Sequence, residues 1–161
     1  MVGPSFGVAS MSSEYVLVSH WSVARSREDL WDVLDEWLAT DDPMVWWPSV
    51  HTESYDGSRL RLRARSVLGY ALRFSLDDLV RQRPETLSFT SDGDLRGRGI
   101  VTFVELGPSS SRMDIDWRVA VDRRWMRLTG WFLRPAFVAG HHLIMRQGER
   151  NLRRWLEAQR V

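Results

Sequence analysis

The chain has 161 residues, a formal net charge of +1 and 27% charged residues, which suits one globular domain around a single hydrophobic core. The near-neutral charge argues against bulk electrostatic attraction to nucleic acid or to an anionic membrane, and no apolar stretch is long enough for stable membrane insertion. The chain has no cysteine, which excludes disulfides, thiolate nucleophiles and cysteine-bound metals and favours a cytoplasmic location.

Residues 1–13 do not resemble a signal peptide, because no basic region precedes a long apolar run. We expect a disordered extension there, followed by a single domain over residues 14–161. "YVLVSHWSV" (15–23) is rich in β-branched and aromatic residues and predicts a strand. Ser26 and Asp29 then form an S-x-x-D helix start ahead of apolar residues at helical spacing.

The segment "TDDPMVWWPSV" (40–50) predicts a short second helix or a turn, which Pro48 ends. From residue 50 the hydrophobic period changes to two, the pattern of half-buried strands. Five such runs are predicted as strands, at 59–65, 70–76, 85–91, 99–106 and 112–121. Gly, Pro, Asp and Ser fill the short breaks between them, which favours antiparallel hairpins.

The run at 59–65 places four arginines on one face: Arg59, Arg61, Arg63 and Arg65. We interpret this face as solvent-exposed and paired with acidic residues such as Asp77 on a neighbouring strand. The spaced glycines of "SDGDLRGRG" (91–99) are interpreted as turn and bulge geometry, because no helix follows that could hold a phosphate. Residues from about 125 to 159 predict a helix, with a kink or a break near 134 caused by Pro135.

These elements predict an α+β fold. A curved antiparallel sheet of about six to seven strands would wrap around the long C-terminal helix, and two short helices would follow the first strand. One helix cannot fill the concave face of such a sheet evenly. We therefore expect an apolar cavity between the sheet and the helix, of the kind that binds small molecules.

Several segments together resemble a known family: "SREDLWDVL", "WWPSV", "SVLGYALRFSL", "SDGDLRGRG", "DIDWRV", "RRWMRL" and "RPAFVAGHHLIMRQGERNL". Over residues 15–157 the chain resembles the polyketide cyclase/dehydrase-like branch of the SRPBCC (START-like) superfamily. The resemblance implies a helix-grip fold that encloses a hydrophobic ligand. It implies no single activity, since members include lipid and hormone binders, cyclases and oxygenase domains. Many relatives carry an Asn-His pair where this chain has Gly140 and His141.

His141 and His142 are the candidate chemical groups of the last helix. Neighbouring helical positions differ in direction by about 100°, so the two cannot bind one metal ion together, and we predict neither a metal site nor a cofactor. His141 shares a stripe with Val138, Met145 and Gly148 and should face inward. It would either contact a ligand or move a proton, or alternatively be a buried neutral histidine bonded to a strand. Gly148 should serve close packing of the helix on the sheet.

Other side chains are candidates for lining the cavity. Trp46 and Trp47 would lie at its mouth, one as a gate and one as a plug. Asp94 and Arg98 could be polar anchors for a ligand or, alternatively, a surface ion pair. The remaining inward candidates are Tyr70, Phe74, Phe89, Phe103, Trp117, Trp131, Val138 and Met145.

Three functions are compatible with the sequence. The first is binding of a small hydrophobic partner molecule, lipid, polyketide or isoprenoid-like, in the cavity. The second is a cyclase, dehydratase or isomerase with His141 as acid or base and Asp94, Arg98 or Tyr70 polarising the substrate. The third is a protein-interaction module without a ligand. The oligomeric state is left open, with a dimer as one option.

Overall fold

The computed structural model describes residues 14–121 and 130–159, except for the side chains of residues 130–134. Within these ranges the chain forms two helices and seven strands, in the order of one strand, one helix, six strands and one helix. The helices are α1 (Arg27–Leu38) and α2 (Gly130–Ala158). The strands are β1 (Glu14–Val23), β2 (Val50–Tyr55), β3 (Leu60–Arg65), β4 (Ala71–Gln82), β5 (Thr86–Gly93), β6 (Leu95–Gly107) and β7 (Ser110–Val121). The α+β class, the antiparallel sheet and the long last helix are as predicted.

The seven strands form one sheet in the order β1-β7-β6-β5-β4-β3-β2. All neighbouring pairs are antiparallel. Strands β2 to β6 each pair with the next strand along the chain, as the short breaks between the hydrophobic runs predict. Strand β1 instead pairs with β7, so that β1 and β2 are the two edges of the sheet.

Helix α1 begins where the sequence predicts. The Ser26 hydroxyl accepts a hydrogen bond from the backbone N–H of Asp29 at 3.1 Å, which caps the first turn. The inward face of the helix buries Leu30, Trp31 and Trp37. No second helix follows, since residues 43–46 form a turn. Of the two short helices predicted after the first strand, only α1 forms, and the alternative of a turn after it is correct.

The structure differs from the sequence prediction at strand β2 and at the start of β6. The predicted runs omitted β2 and began the later strand at 99, whereas β6 begins at Leu95. Gly93, with φ of +93°, does form the predicted turn, but Gly97 and Gly99 lie inside β6. A Cβ on Gly97 would lie 1.9 Å from the carbonyl oxygen of Arg118 on β7. Glycine is required there because the two backbones approach so closely.

Helix α2 runs without a break through Pro135. Of the predicted kink or break near 134, the break is therefore wrong and the kink stays a prediction. Its described N-terminal half packs against residues from six of the seven strands, in a cluster that includes Leu17 of β1, Leu62 of β3 and Phe137. Its C-terminal half packs with α1 in a second cluster that includes Trp31 and Leu152. No helix among the described residues is long and apolar enough to cross a membrane. The predicted extension at 1–13 lies outside the described residues.

Candidate ligand-binding cavity

A cavity of about 230 Å³ lies between the sheet and α2. Its position follows from the period-two pattern, because alternate residues of each strand point toward the helix. Every described strand and both helices contribute to the lining, which has 27 residues. Most of these are aliphatic or aromatic, and none is Asp, Glu or Arg. The cavity is therefore an apolar space with few polar atoms.

Nine of the thirteen predicted site residues line this cavity: Trp46, Trp47, Tyr70, Phe74, Phe89, Phe103, Trp117, His141 and Met145. They come from the loop after α1, from the turn before β4, from β4 to β7 and from α2. Their inward orientation is what the alternation predicts for the strands and what the helical stripe predicts for α2. That they contact a ligand remains a prediction.

Asp94, Arg98 and Val138 do not line the cavity. In β6 the odd-numbered residues Leu95, Val101 and Phe103 face inward, so Arg98 lies exposed on the opposite face. Asp94 belongs to the turn before β6, where its carboxylate accepts a hydrogen bond from the backbone N–H of Arg73 at 2.9 Å. The side chain of Trp131 lies outside the described residues.

In α2 the inward stripe keeps His141 and Met145 but differs from the predicted one at Val138. Phe137 and Ile144 line the cavity in place of Val138. Both lie on the same helical face as His141, four residues before it and three after it. The signal was present in the sequence, because both are apolar and have the correct spacing from the histidine. Val138 has nearly the same spacing, and the helical period alone does not decide between them.

The polar end of the cavity is formed around Gly140. A Cβ on this residue would lie 2.3 Å from the hydroxyl oxygen of Tyr70 and 2.8 Å from that of Ser66. Glycine thus lets Tyr70 and Ser66 approach the helix backbone. Burial raises the pKa of Tyr70, and the Ser66 hydroxyl opposes this effect. The asparagine that the resemblance suggests at position 140 has no room in this arrangement.

The two histidines of α2 separate as predicted. His142 is exposed, whereas His141 lines the cavity. Burial, with a smaller contribution from the charge of His142, lowers the pKa of His141 from 6.5 to about 4. Its Nε2 is buried and has no hydrogen-bond partner among the described residues. The alternative of a histidine bonded to a strand is therefore not observed for this nitrogen. Near neutral pH, His141 is an uncharged polar group facing an apolar space.

The aromatic end of the cavity lies about two turns further along α2. A Cβ on Gly148 would lie 2.7 Å from ring atoms of both Trp21 and Trp47, so the predicted packing role of this glycine is confirmed. The ring of Trp46 stacks on that of Trp47 at 5.2 Å and on that of Trp37 at 5.0 Å. Nε1 of Trp47 is buried without a hydrogen-bond partner in the described ranges. Trp46 and Trp47 both line the cavity, and which of them acts as a gate stays a prediction.

The charged residues lie elsewhere. The arginine face at residues 59–65 lies outward, with Arg59, Arg61 and Arg65 exposed and Arg63 half-buried. Nε of Arg59, just before β3, donates to a carboxylate oxygen of Asp77 at 2.6 Å. Within residues 14–121 and 130–159 no group of three or more His, Asp or Glu side chains is placed to hold a metal ion. The indole N–H of Trp117 donates to the hydroxyl of Ser91 at 3.2 Å, a buried partner that the sequence analysis missed. Among the described lining residues, His141, Tyr70 and the tryptophans supply the polar atoms of the cavity.

Comparison with known proteins finds solved structures of similar architecture. No protein-family model and no curated protein matches the chain. Protein Ms6760 from Mycobacterium smegmatis is similar in structure, with a TM-score of 0.59 and 15% identity over 89% of this chain and 92% of that one. Norcoclaurine synthase from Thalictrum flavum, in complex with dopamine and hydroxybenzaldehyde, has a TM-score of 0.58 and 14% identity over 94% of each chain.

The Zhui aromatase/cyclase from a Streptomyces species is also similar, with a TM-score of 0.52 and 13% identity over 87% of this chain and 96% of that one. At such low identities the likeness concerns the fold alone. The chain has a helix-grip α+β fold, as the sequence resemblance implies.

Proposed function

We propose that this protein binds a small hydrophobic molecule in the cavity between the sheet and α2. The observation that carries the proposal is the apolar space of about 230 Å³ that core residues enclose between the sheet and α2. Protein interiors are close-packed, and an unfilled void lowers stability. An apolar cavity of about 150 Å³ binds benzene, so this one has room for a larger molecule of lipid, polyketide or isoprenoid-like chemistry.

The fold supports the same proposal. The norcoclaurine synthase structure contains dopamine and hydroxybenzaldehyde, which indicates that a chain with this architecture can hold small organic molecules. The proposal keeps the cytoplasmic location that the cysteine-free composition favours.

His141 favours binding over proton transfer. A general base is most effective when its pKa lies near the working pH, and burial lowers the pKa of this imidazole to about 4. At neutral pH such a histidine is a weak base but still a competent hydrogen-bonding group. A cyclase or dehydratase activity through His141 would therefore need the bound substrate to raise this pKa.

Filling the cavity tests the proposal. Ala64 lines the cavity, whereas Ala71 lies on the outer face of β4, paired with Arg65. Ala64→Phe adds a benzene-sized ring to the cavity, and Ala71→Phe adds the same ring outside it. Native mass spectrometry and thermal unfolding would follow binding of small lipids, isoprenoids and aromatic compounds to the three proteins.

We expect the wild type and Ala71→Phe to bind at least one compound of the panel with a raised Tm, and Ala64→Phe to lose that binding while remaining folded. Circular dichroism would verify the folding of each variant. If no compound bound the wild type, or if Ala64→Phe bound as tightly as the wild type, ligand binding in this cavity would be refuted.

A further inference from the structure

The volume of the cavity limits the size of its ligand. If a cavity of about 150 Å³ accommodates benzene, each non-hydrogen atom needs roughly 25 Å³. The observed 230 Å³ then accommodates about nine or ten non-hydrogen atoms on the same scale. This matches a two-ring aromatic compound or a compact terpenoid. A long-chain lipid or a multi-ring polyketide is too large for this space.

The lining limits the charge of the ligand. The described lining residues include no Asp, Glu or Arg, and the sequence has no lysine. A carboxylate or an ammonium group in this space would be removed from water without an ionic partner, which is strongly unfavourable. His141 is the one titratable base among the described lining residues, and the same burial lowers its pKa. The ligand is therefore expected to be uncharged.

Unpaired polar atoms limit the ligand's functional group. Nε2 of His141 is buried without a partner among the described residues, and buried polar atoms are normally hydrogen-bonded. A hydroxyl group both donates and accepts, so it can pair with Nε2 in either neutral tautomer, whereas a carbonyl can pair only with the protonated nitrogen. A hydroxyl group is thus the partner that suits this site in both forms.

The length of the cavity orients such a ligand. His141 and Gly148 are seven residues apart on α2, which is about 10 Å along the helix axis. Tyr70 lies against the helix at Gly140, and Trp47 lies against it at Gly148. A hydroxyl group at His141 therefore places the rest of the ligand toward the stacked rings of Trp46 and Trp47.

We propose, resting on the proposed function, that the ligand is a compact neutral phenol or alcohol of about ten non-hydrogen atoms, with its hydroxyl group bonded to Nε2 of His141 and its apolar body directed toward Trp46 and Trp47. His141 then acts as the specificity-determining residue of the cavity. Its role is to accept or donate one hydrogen bond, with no change in charge.

The test compares three probes that share one ring system: naphthol, naphthalene and naphthoate. Their dissociation constants would be measured near neutral pH by calorimetry and by quenching of tryptophan fluorescence. The proteins are the full-length wild type, His141→Leu and His142→Leu. The last variant is the matched control, because it removes an exposed imidazole from the neighbouring position of the same helix.

In the wild type we expect naphthol to bind about five-fold more tightly than naphthalene, the effect of one neutral hydrogen bond. Naphthoate should bind more weakly than naphthol by about ten-fold or more, because its charge has no partner among the described lining residues and because a carboxylate is larger than a hydroxyl group. His141→Leu should abolish the preference for naphthol over naphthalene, and His142→Leu should retain it. If His141→Leu fails to fold, nitrogen NMR of the wild-type imidazoles would test the hydroxyl contact instead. Naphthol, but not naphthalene, should change the chemical shift of Nε2 of His141.

The outcomes separate the two proposals. If naphthalene and naphthol bind equally, or if His141→Leu retains the preference, the hydroxyl contact is wrong while binding in the cavity stands. If only a larger compound, such as hydroxypyrene, binds, the size limit is wrong and binding again stands. If none of these compounds and no member of the wider panel binds, the proposed function itself fails.

Discussion

Acidification should destabilise this protein through His141. The pKa of the imidazole is 6.5 in the unfolded chain and is lowered to about 4 in the folded protein, mainly by burial. Between these two values the unfolded chain binds a proton that the folded protein does not. Folding stability therefore rises with pH across this window. The contribution is fully present above pH 6.5 and is lost as the pH falls toward 4.

The magnitude follows from the difference between the two pKa values. The loss is about 2 kcal/mol at pH 5 and about 3 kcal/mol at pH 4. This is a large share of a typical folding free energy of about 5–15 kcal/mol. Carboxylates also contribute at low pH. The pKa of Asp56, for example, is lowered to about 2 by hydrogen bonds from the backbone N–H groups of Arg59 and Ser58, but such groups act equally in a His141 variant.

Urea unfolding of the wild type and His141→Leu at a series of pH values would measure the effect. The difference in the free energy of unfolding, wild type minus variant, should decrease by about 2 kcal/mol between about pH 7 and pH 5. His142→Leu should retain most of the wild-type slope, because burial is the larger cause of the lowered pKa. Parallel curves for the wild type and His141→Leu would show that His141 titrates normally and would refute the buried, neutral imidazole.

Further predictions concern stability. Leu152 is 1% exposed, and its replacement by alanine should lower the free energy of unfolding by about 2–5 kcal/mol. Leu143→Ala, at a 44% exposed position of the same helix, should change it by no more than about 0.5 kcal/mol. Chemical denaturation would compare the two variants, and equal losses would contradict the packing of Leu152. Ser26→Ala should cost about 1 kcal/mol by removing the cap of α1, with Ser26→Asp restoring it in thermal unfolding. Gly97→Ala should cost about 3 kcal/mol or more, because its Cβ meets the backbone of Arg118; an unchanged Tm would show that β6 and β7 can separate there.

The residues of each strand that point inward could be predicted from the sequence, because most strands have one side toward the cavity and one side toward water. Leu60 and Leu62 are buried, and the intervening Arg61 is exposed, so the alternation of the sequence is the alternation of the structure. Strand β2 lacks this signal. It is an edge strand in which Val50 alone is buried, and no period distinguishes it from a loop.

Other features depend on neighbours that are distant in the sequence. Gly97 and Gly99 suggest a turn by themselves, and their place in β6 is explained only by Arg118 and by the ring of Phe89, which would lie 2.3 Å from a Cβ at position 99. Arg98 between them was predicted as a candidate anchor because the segment was not recognised as a strand. Once β6 is extended to Leu95, the period of two directs Arg98 outward.

The position of the cavity depends on the two glycines of α2 more than on its histidines. Gly140 admits Tyr70 to the helix backbone and Gly148 admits Trp47, eight residues or about 12 Å apart along the axis. The two bulky side chains lie against the helix at the ends of this interval, and between them α2 presents His141 and smaller apolar groups. The space therefore persists between two aromatic contacts, and His141, which α2 presents between them, is well placed to select a ligand.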